Sequence, residues 1–547
     1  MKRFIFLAGC FLSVSVFCAE TPLPDYWKPV KTKLIEFSWA SPGTEFLREN
    51  IETIEAYAPY DGLGIHVVGK GEYQGKKIIA RHNTIFSSIP WKYEWFADAV
   101  KDLKATKFRK LTDNFIRTSV SPGAVDWFSD SDWAAVCNNF AIMSRIAREC
   151  GLKGLAFDAE MYNRQLFTWS PESGHSREDT IRKVRQRGRE FADAIFKEYP
   201  AQTFFCFYWL SVARKCMMHP ETPVGEYSLA VPFMNGVYDR LPPEAKIVDG
   251  NEEFGYKAND IKDYERLRCE NDFLLMRLVD KANCRKARMQ TQLAPAFYLD
   301  AYLIPQKGRV WFELLSPEKT DRVALLHKNL VSAFSVADEY AWTWGERGCW
   351  WPRKGDKPGA RWEEKAPGVT EAVRLAHEPA VYAEKVVAEK SLPNLLKNPS
   401  FEQRGKTAQN VPGWSFWQSR ASKGTCRVLD GDGVNGSRGA AVEKSSNACL
   451  MQKRAVKPGQ RYLLTARCKT GNVTPVLRIR WQNKKGIWNN TNRDEAALFV
   501  LPEKDGWFSA KIVATVPDDS YKMVSMLSVE DGTGGVIFDD AALYELE

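Results

Sequence analysis

The heptapeptide Gly154-Leu155-Ala156-Phe157-Asp158-Ala159-Glu160 contains the pattern that decides the fold. In an extended strand successive side chains alternate between two faces, so Leu155 and Phe157 share one face while Asp158 and Glu160 share the other. Apolar bulk suits a face that helices cover. Small residues followed by two carboxylates suit a face that opens to solvent at the carboxyl end. The stretch therefore predicts a buried strand that ends in two acids.

This alternation of a short apolar run with an amphipathic stretch recurs eight times between residues 33 and 379. The predicted strands are 34–39, 62–68, 115–120, 154–161, 203–210, 246–251, 296–302 and 339–344. Short parallel strands need helical crossovers, and eight such units close a sheet into a barrel. We therefore predict an α/β fold, a (β/α)8 TIM barrel over 25–382. An open, doubly wound sheet is the alternative.

The character of the chain changes after residue 382. Residues 383–393 are charged and carry no strand pattern, which predicts a linker. Residues 394–547 contain short alternating runs separated by Gly, Asn and Asp turns, at 462–468, 476–481, 510–514, 523–529 and 536–544. This pattern is typical of an all-β sandwich.

The two ends of this second region carry distinctive segments. They are Asn394-Leu395-Leu396-Lys397-Asn398-Pro399-Ser400-Phe401-Glu402 with Gly413-Trp414, and Val536-Ile537-Phe538-Asp539-Asp540-Ala541-Ala542-Leu543-Tyr544-Glu545. They resemble the first and last strands of CenC-type carbohydrate-binding modules of families 4, 9 and 22. The resemblance implies a glycan-binding jelly roll, often with a structural calcium. Glu402 and Asp539 are the matching carboxylates, and hard oxygen ligands suit calcium; ordinary turn polarity is the alternative.

Composition excludes several classes of protein. The net charge of +9 comes from 77 basic and 68 acidic residues without a dense basic run, so no nucleic-acid partner is predicted. After the first 20 residues no run of 18 apolar residues occurs, so no integral membrane segment is predicted. The 19 tryptophans suit sugar rings as well as they suit a core.

The amino terminus predicts export. Met1-Lys2-Arg3, the apolar run 4–18 and the small residue Ala19 are typical of a signal peptide over 1–19, which predicts a secreted, periplasmic or cell-surface protein. Leu7-Ala8-Gly9-Cys10 resembles a lipoprotein lipobox, but only three apolar residues precede it. Ten cysteines remain after cleavage, and their spacing leaves disulfide pairing open.

Acidic residues at the strand ends predict the chemistry. In a barrel the carboxyl ends of the strands carry the active site, and glycoside hydrolysis needs two carboxyls across the scissile bond. We predict Glu160 as the general acid beside Asp158, with Glu252 or Asp249 as the opposing carboxylate. The alternatives are an ion pair of the strand-four acids with Arg117 and, for strand six, solvated loop charges.

Asp158-x-Glu160 also resembles the tail of the D-x-x-D-x-D-x-E motif of chitinase-type family 18 hydrolases. The two earlier aspartates of that motif correspond to Lys153 and Ala156, so the chain is not assigned to that family. Retaining hydrolases with an acid on strand four and a nucleophile on strand seven are another template. Their Asn-Glu pair is absent, and strand seven carries Asp300 instead.

Aromatic and polar side chains near the same strand ends are predicted to bind the substrate. They are Trp39, His66, Asn114, Arg117, Tyr162, Trp209, Asp300, Trp342, Trp344 and Glu346. In the second region the predicted glycan-binding residues are Trp414, Trp417, Trp481 and Trp488. Rings of this kind stack on the C–H faces of sugars, and burial in a core is the alternative for about half of them.

Together these features predict an exported glycoside hydrolase that acts on a polysaccharide or a glycoprotein glycan without a catalytic cofactor. The sequence contains no P-loop, H-E-x-x-H motif, Rossmann fingerprint or nucleophile elbow. Two alternatives stay open. One is a non-catalytic glycan-binding surface protein on a degenerate barrel, and the other is a polysaccharide lyase or an esterase.

Overall fold

The computed structural model describes residues 31–213, 225–304, 321–407, 410–471, 473–489, 493–532 and 534–546. The predicted signal peptide over 1–19 lies outside these residues. The chain divides into two compact units, Met1–Thr320 with Ser332–Lys365, and Asp321–Val331 with Ala366–Glu547. The predicted domain boundary at residue 382 therefore falls inside the second unit.

Strands and helices alternate along the first part of the chain, as the sequence predicts. The strands are β1 Lys33–Ser38, β2 Gly62–Ile65, β3 Gly69–Tyr73, β4 Lys76–Ala80, β5 Phe86–Ser87, β6 Phe115–Ser119, β7 Pro122–Ala124, β8 Gly154–Asp158, β9 Thr203–Cys206, β10 Lys246–Asp249, β11 Thr291–Leu293, β12 Ala296–Tyr298 and β13 Tyr340–Gly345. The helices are α1 Thr44–Tyr57, α2 Ala97–Ala105, α3 Asp130–Glu149, α4 Arg177–Glu198, α5 Ala230–Arg240, α6 Glu252–Lys257, α7 Ile261–Leu278, α8 Cys284–Gln290, α9 Leu299–Leu303, α10 Arg322–Phe334 and α11 Trp362–Lys365.

Nine of these strands form one parallel sheet in the order β11-β10-β9-β8-β6-β2-β1-β13-β12. Its two outermost strands, β11 and β12, are separated in the chain only by Ala294 and Pro295. The sheet is strongly curved. Phe37 of β1 and Phe205 of β9 lie four strands apart, yet their ring centroids are 5.3 Å apart. Four inter-strand spacings in a flat sheet would span about 19 Å.

Strand β8 has the two faces that its sequence predicts. Phe157 packs on Phe140 of α3, with 5.9 Å between ring centroids, so this face is covered by a helix. Gly154 is needed at the start of the strand, because a Cβ there would lie 2.1 Å from the carbonyl oxygen of Thr203 on the neighbouring strand β9. The nine-stranded sheet also corrects the seventh predicted strand, 296–302, which ends at Tyr298 and continues as helix α9.

The second unit contains two antiparallel sheets, which confirms the predicted all-β sandwich. Its strands are β14 Ser415–Gln418, β15 Thr425–Leu429, β16 Gly439–Glu443, β17 Ala448–Ala455, β18 Arg461–Thr470, β19 Val473–Gln482, β20 Glu495–Leu498, β21 Leu501–Pro502, β22 Phe508–Thr515, β23 Lys522–Gly532 and β24 Gly535–Glu545. One sheet has the order β14-β17-β23-β19-β20 and the other β15-β16-β24-β18-β22-β21. Leu450 and Leu477 of the first sheet share a core with Leu464 and Phe538 of the second.

Helices α12 (Val369–Arg374) and α13 (Pro379–Lys390) precede the sandwich. Ala383 of α13 is buried with Leu463 and Leu546, and Glu384 accepts a hydrogen bond from Lys511 at 2.7 Å. The segment 383–393 is therefore helical and docked as far as Lys390, rather than a free linker. Its charges lie on a helix surface, which the sequence pattern does not distinguish from a linker.

Two further sequence expectations concern the whole chain. The nine cysteines within the described ranges are free thiols, so the structure gives none of them a disulfide partner there. Across the same ranges, no helix combines the length and the apolar character needed to cross a bilayer.

Candidate functional site

Ionisable side chains meet at the carboxyl edge of the parallel sheet. Arg117 lies on β6, Asp158 ends β8 and is followed by Glu160, and Glu252 follows β10. Because parallel strands point the same way, their carboxyl ends share one edge. These groups interact, since burial and then the charges of Glu160 and Asp158 raise the pKa of Glu252 well above its usual range. The edge therefore combines three carboxyls that interact electrostatically.

Glu252 is held so that one of its oxygens stays unused. Asn251, at a left-handed φ of 50°, turns the chain from β10 into α6 and places Glu252 at the first position of the helix. The hydroxyl of Tyr256, one turn later, donates to Oε1 at 2.9 Å. Oε2 is buried and has no hydrogen-bond partner among the described residues. A buried carboxyl near other acids favours the protonated form, so Glu252 is suited to donate a proton.

Asp158 sits at the end of β8 and orients the residue beyond it. Its Oδ1 accepts a hydrogen bond from the backbone N–H of Glu160 at 2.9 Å. Burial raises the pKa of Asp158, while this hydrogen bond and the charge of Arg117 partly oppose the shift. Asp158 thus positions the turn that carries Glu160.

Arg117 reaches from β6 to the end of β1 and to the residue after β2. Its Nη1 donates to the carbonyl oxygen of Ser38 at 2.8 Å and lies 3.3 Å from Nε2 of His66. The guanidinium also lies over the ring of Trp344, 4.9 Å from the centroid. Burial and then the Arg117 charge lower the pKa of His66 to about 3. His66 is therefore a neutral imidazole beside a fixed cation.

Tyrosines surround the acids on the side of β9 and α6. Burial and then the charges of Glu252 and Glu160 raise the pKa of Tyr208, and burial and then Glu160 raise the pKa of Tyr227. These phenols stay protonated and can donate hydrogen bonds. Sequence reasoning missed Tyr227, which precedes α5 at a φ of 60° and shows no periodic signal. It also missed Tyr256, whose spacing of four residues from Glu252 could have indicated the contact.

Asp249 has a structural role, which corrects its prediction as a catalytic carboxylate. It is fully buried at the end of β10. Its Oδ1 accepts from the backbone of Asn251 and Trp209 and from the Ser211 hydroxyl, at 3.1, 3.3 and 2.6 Å, and Oδ2 accepts from the Ser211 backbone at 2.8 Å. These donors occupy both oxygens, so Asp249 pins the chain that follows β9.

Five of the predicted substrate-binding residues are buried, and three of these, Trp342, Trp209 and Asn114, have their polar groups bound within the fold. Trp342 is inaccessible, stacks on Phe207 at 4.5 Å and donates from Nε1 to the Gly250 carbonyl oxygen at 2.8 Å. Trp209 donates from Nε1 to the hydroxyl of Tyr238 at 2.9 Å. The side chain of Asn114 accepts a hydrogen bond from the backbone N–H of Leu63 and donates one to the carbonyl oxygen of Leu111. Alternation along a strand predicts the face of the sheet on which a side chain lies. How deeply the side chain is buried there depends on the residues that pack around it.

Residues after β12 and β13 hold one another in place. Oδ2 of Asp300 accepts from the backbone N–H of Glu346 at 2.8 Å, and Oε1 of Glu346 accepts from Trp344 Nε1 at 3.4 Å. Asp300 therefore positions the loop that follows Trp344, and of these three only Trp344 contacts Arg117. Trp39 and Tyr162 follow β1 and β8 and expose 66% and 68% of their surface, so their rings are free to meet a ligand.

In the sandwich the four predicted tryptophans divide into two pairs. Trp414 and Trp481 are buried, and their Nε1 atoms donate to backbone carbonyls of Asn398 and Arg493. These two predictions are wrong for a binding surface. Trp417 and Trp488 are 48% and 40% exposed, and Arg480 lies over the Trp488 ring at 4.4 Å.

The two carboxylates predicted to hold calcium do not fit a cation as they are placed. Oδ2 of Asp539 accepts from Val434 N and Ser437 Oγ, and Oδ1 accepts from the Asp540 backbone. Oε1 of Glu402 accepts from the Arg438 backbone at 3.0 Å. N–H and O–H donors thus bind three of the four carboxylate oxygens that would face a cation. Within the described ranges, no group of three or more His, Cys, Asp or Glu residues is arranged to hold a metal.

Comparison with known proteins gives limited likenesses. No protein family matches the chain. No curated protein matches it either. Among solved structures it is similar to the enzymatically active domain of tailspike protein 4 from bacteriophage CBA120, with 16% identity over 28% of this chain and 21% of that one, at a TM-score of 0.23.

Two other similar structures contain carbohydrate-binding modules. TmCBM61 in complex with β-1,4-galactotriose is 17% identical over 28% of this chain and 99% of that one, with a TM-score of 0.21. The CBM22-1 and GH10 modules of Clostridium thermocellum Xyn10B, complexed with xylohexaose, are 18% identical over 27% of this chain and 28% of that one, with a TM-score of 0.20. At these TM-scores the likenesses carry no argument about function.

Proposed function

We propose that the protein is an exported glycoside hydrolase, a (β/α)8 TIM barrel followed by a carbohydrate-binding jelly roll that keeps it on a polysaccharide or glycoprotein glycan. Closure of the sheet is supported by the contact between Phe37 and Phe205, and by the two residues that separate β11 from β12. Two backbone hydrogen bonds link this junction to the strands on both sides. Trp342 N donates to the carbonyl oxygen of Pro295, and Ala294 N donates to the carbonyl oxygen of Asp249.

The observation that carries the proposal is the burial of Glu252 beside other acids at one edge of the sheet, where the charge of Glu160 helps to raise its pKa. Hydrolysis of a glycosidic bond needs one carboxylic acid to protonate the leaving oxygen and one carboxylate to act on the sugar or on water. Burial and neighbouring negative charge keep Glu252 protonated, which supports Glu252 as the acid. Glu160 then serves as base or nucleophile, which exchanges the roles expected from the sequence.

Other residues at the edge are suited to hold the sugar. Arg117 and His66 offer donors to hydroxyl oxygens. The ring of Trp344 packs against the guanidinium and helps to hold it in place. Trp39 and Tyr162 provide exposed rings for sugar C–H faces. In the jelly roll, Trp417 and Trp488 form the corresponding surface. No catalytic cofactor is needed in this scheme.

A polysaccharide lyase is the nearest rival chemistry, because it would use a tyrosine or histidine as base. The raised pKa values of Tyr208 and Tyr227 keep these phenols protonated, which disfavours them as bases. Product analysis separates the two reactions, since a lyase leaves an unsaturated uronic end that absorbs in the ultraviolet.

The proposal is tested with a glycan array followed by product chromatography, using the wild type, Glu160→Gln and Glu252→Gln. We expect cleavage of a bound glycan by the wild type and at least a 100-fold loss in each variant. If Glu252 is the acid, Glu252→Gln retains activity on aryl glycosides with good leaving groups, because these need no proton. Binding without cleavage by the wild type would instead establish a recognition protein.

A further inference from the structure

A groove of about 740 Å3 lies where β1 and β2 end, next to the edge that carries the acids. Its walls come from the start of α1, the residues that follow β2 and the start of α2, and they include Phe46, His66, Lys70, Glu94, Trp95 and Asp98. Its volume lies within the range of about 300–1,000 Å3 that is usual for ligand sites. Of the residues that line it, only His66 was predicted from the sequence to bind a substrate.

Trp95 gives this groove an aromatic wall in a defined position. The hairpin of β3 and β4 packs against the indole, because a Cβ on Gly71 would lie 2.2 Å from Cε2 of Trp95. Glycine at position 71 is therefore required for this close approach. The ring stays partly exposed and lines the groove, as a stacking surface for a sugar ring would.

His66 connects the groove with the acids. The guanidinium of Arg117 can donate hydrogen bonds but cannot accept them. In the 3.3 Å contact Nε2 of His66 is therefore the acceptor, and the ring proton is on Nδ1. Nδ1 makes no hydrogen bond to a described residue and is a free donor. Arg117 in turn interacts electrostatically with Asp158 and Glu252. His66 therefore lines the groove on one side and contacts, on the other, the arginine that interacts with the acids.

The charges around the groove indicate which sugars it accepts. Glu45, Glu94 and Asp98 line it, against Lys70 and Lys101, and none of these five forms an ion pair with a described residue. Unpaired carboxylates accept hydrogen bonds from sugar hydroxyls. Because acids outnumber lysines in the lining, the groove favours neutral chains over chains that carry uronate or sulfate groups.

We propose that this groove binds the distal residues of a neutral oligosaccharide, stacked on Trp95, while the bond to be cleaved lies at Glu160 and Glu252. This inference rests on the proposed function and adds the substrate class and a chain-length requirement. It also adds Trp95 and His66 as binding residues for sugars beyond the scissile bond.

The test uses the full chain as Glu160→Gln, to stop turnover, with Trp417→Ala and Trp488→Ala to remove binding by the sandwich. Titration calorimetry compares gluco-, xylo-, manno- and galacto-oligosaccharides of two and five residues with oligogalacturonides of the same lengths. In this background we expect Trp95→Ala to weaken binding of the five-residue neutral ligand at least 10-fold. Trp95→Phe keeps an aromatic ring for stacking, so its affinity for the same ligand should stay within about 3-fold of the parent.

A second variant guards against misfolding of Trp95→Ala. Glu94 and Asp98 are exposed, so the double change Glu94→Lys and Asp98→Lys leaves packing intact. We expect it to lower affinity for the neutral pentasaccharide and to raise affinity for pentagalacturonide, because the repulsion is removed. A thermal unfolding scan of every variant confirms that the fold is retained.

The outcomes separate the two proposals. If the wild type cleaves a glycan but Trp95→Ala and the Lys double variant bind the pentasaccharide like their parent, the groove proposal is overturned and the proposed function stands. Equal weakening for two-residue and five-residue ligands also overturns it, as does a preference for oligogalacturonide in the parent. If the wild type neither binds nor cleaves any glycan, both proposals fall.

Discussion

Nη1 of Arg117 lies 3.3 Å from Nε2 of His66, and this contact determines which ring nitrogen of the imidazole accepts a hydrogen bond. A guanidinium can only donate, so Nε2 must be unprotonated. The ring of His82, 4.7 Å away between centroids, adds a second partly buried imidazole, and burial and then Arg117 lower its pKa to about 4. The protein therefore keeps two neutral histidines at the edge that carries its acids.

The lowered pKa of His66 predicts a loss of stability in acid. The unfolded chain takes up a proton near pH 6.5 while the folded chain resists until about pH 3, so the free energy of unfolding falls as the pH drops through this window. His66→Gln removes this dependence. Between pH 7 and pH 5 its free energy of unfolding should therefore fall by about 2 kcal/mol less than that of the wild type. Urea unfolding at pH 7 and pH 5 measures the difference. The exposed His175→Gln is the matched control, and an equal acid loss in His66→Gln would contradict the prediction.

Glu36 on β1 predicts the opposite trend. Burial raises its pKa to about 7, opposed by Ser38 and Arg117, and its Oε2 has no hydrogen-bond partner among the described residues. The folded state thus holds a proton that the unfolded state releases near pH 4.5, so stability falls as the pH rises from 4.5 to 7. We expect Glu36→Gln to stabilise the protein by about 2–3 kcal/mol at pH 8 and to have no effect at pH 4. Thermal melts at both pH values test this, and stabilisation of the same size at pH 4 would refute the titration as its cause.

Asp249→Asn separates a structural acid from a catalytic one. The amide nitrogen of asparagine cannot accept, so bonds from Ser211 or the backbone of Trp209 and Asn251 are lost in a fully buried place. We expect a loss of about 2–4 kcal/mol in the free energy of unfolding, from several charge-assisted bonds. The kcat of the folded fraction should change less than 10-fold, whereas Glu252→Gln should show the reverse pattern. A kcat loss as large as that of Glu252→Gln, with unchanged stability, would restore Asp249 as a catalytic residue.

Trp417 and Trp481 of the sandwich predict contrasting variants. Trp417→Ala removes a half-exposed ring and should abolish retention on the glycan that the full chain binds, with stability changed by less than about 0.5 kcal/mol. Trp481→Ala leaves a cavity in the core and should cost about 3–5 kcal/mol. Affinity electrophoresis and chemical unfolding of the full chain give the two readouts. Unimpaired retention in Trp417→Ala would move the binding surface elsewhere.

Strand positions and faces were predictable because they depend on local pattern. Leu155 and Phe157 alternate with small residues, and β8 buries them against α3 as that alternation requires. The carboxyl ends of the first seven strands were predicted one to four residues too long, since loop residues there continue the apolar pattern after the ladder has stopped, whereas the eighth was predicted one residue too short. Trp342 and Trp344 share a predicted face, yet only the first is inaccessible.

The acids illustrate the limit of a single sequence. Asp249 and Glu252 are three residues apart and chemically alike, but four donors converge on one while an oxygen of the other is left without a partner. Three of those donors belong to Trp209 and Ser211, which lie 40 and 38 residues away from Asp249 in the chain. Only the folded chain assigns one residue to structure and the other to chemistry.

By itself, the sequence determined the alternation of strands and helices, the all-β second region and the placement of acids after strands, because these follow from side-chain periodicity and turn residues over short distances. The tertiary structure decided which tryptophans are surfaces and which are core. It also decided which carboxyl is free, which tautomer His66 adopts and where the groove beside Trp95 lies. Each of these depends on contacts between residues far apart in the chain, whose burial and charges no local pattern records.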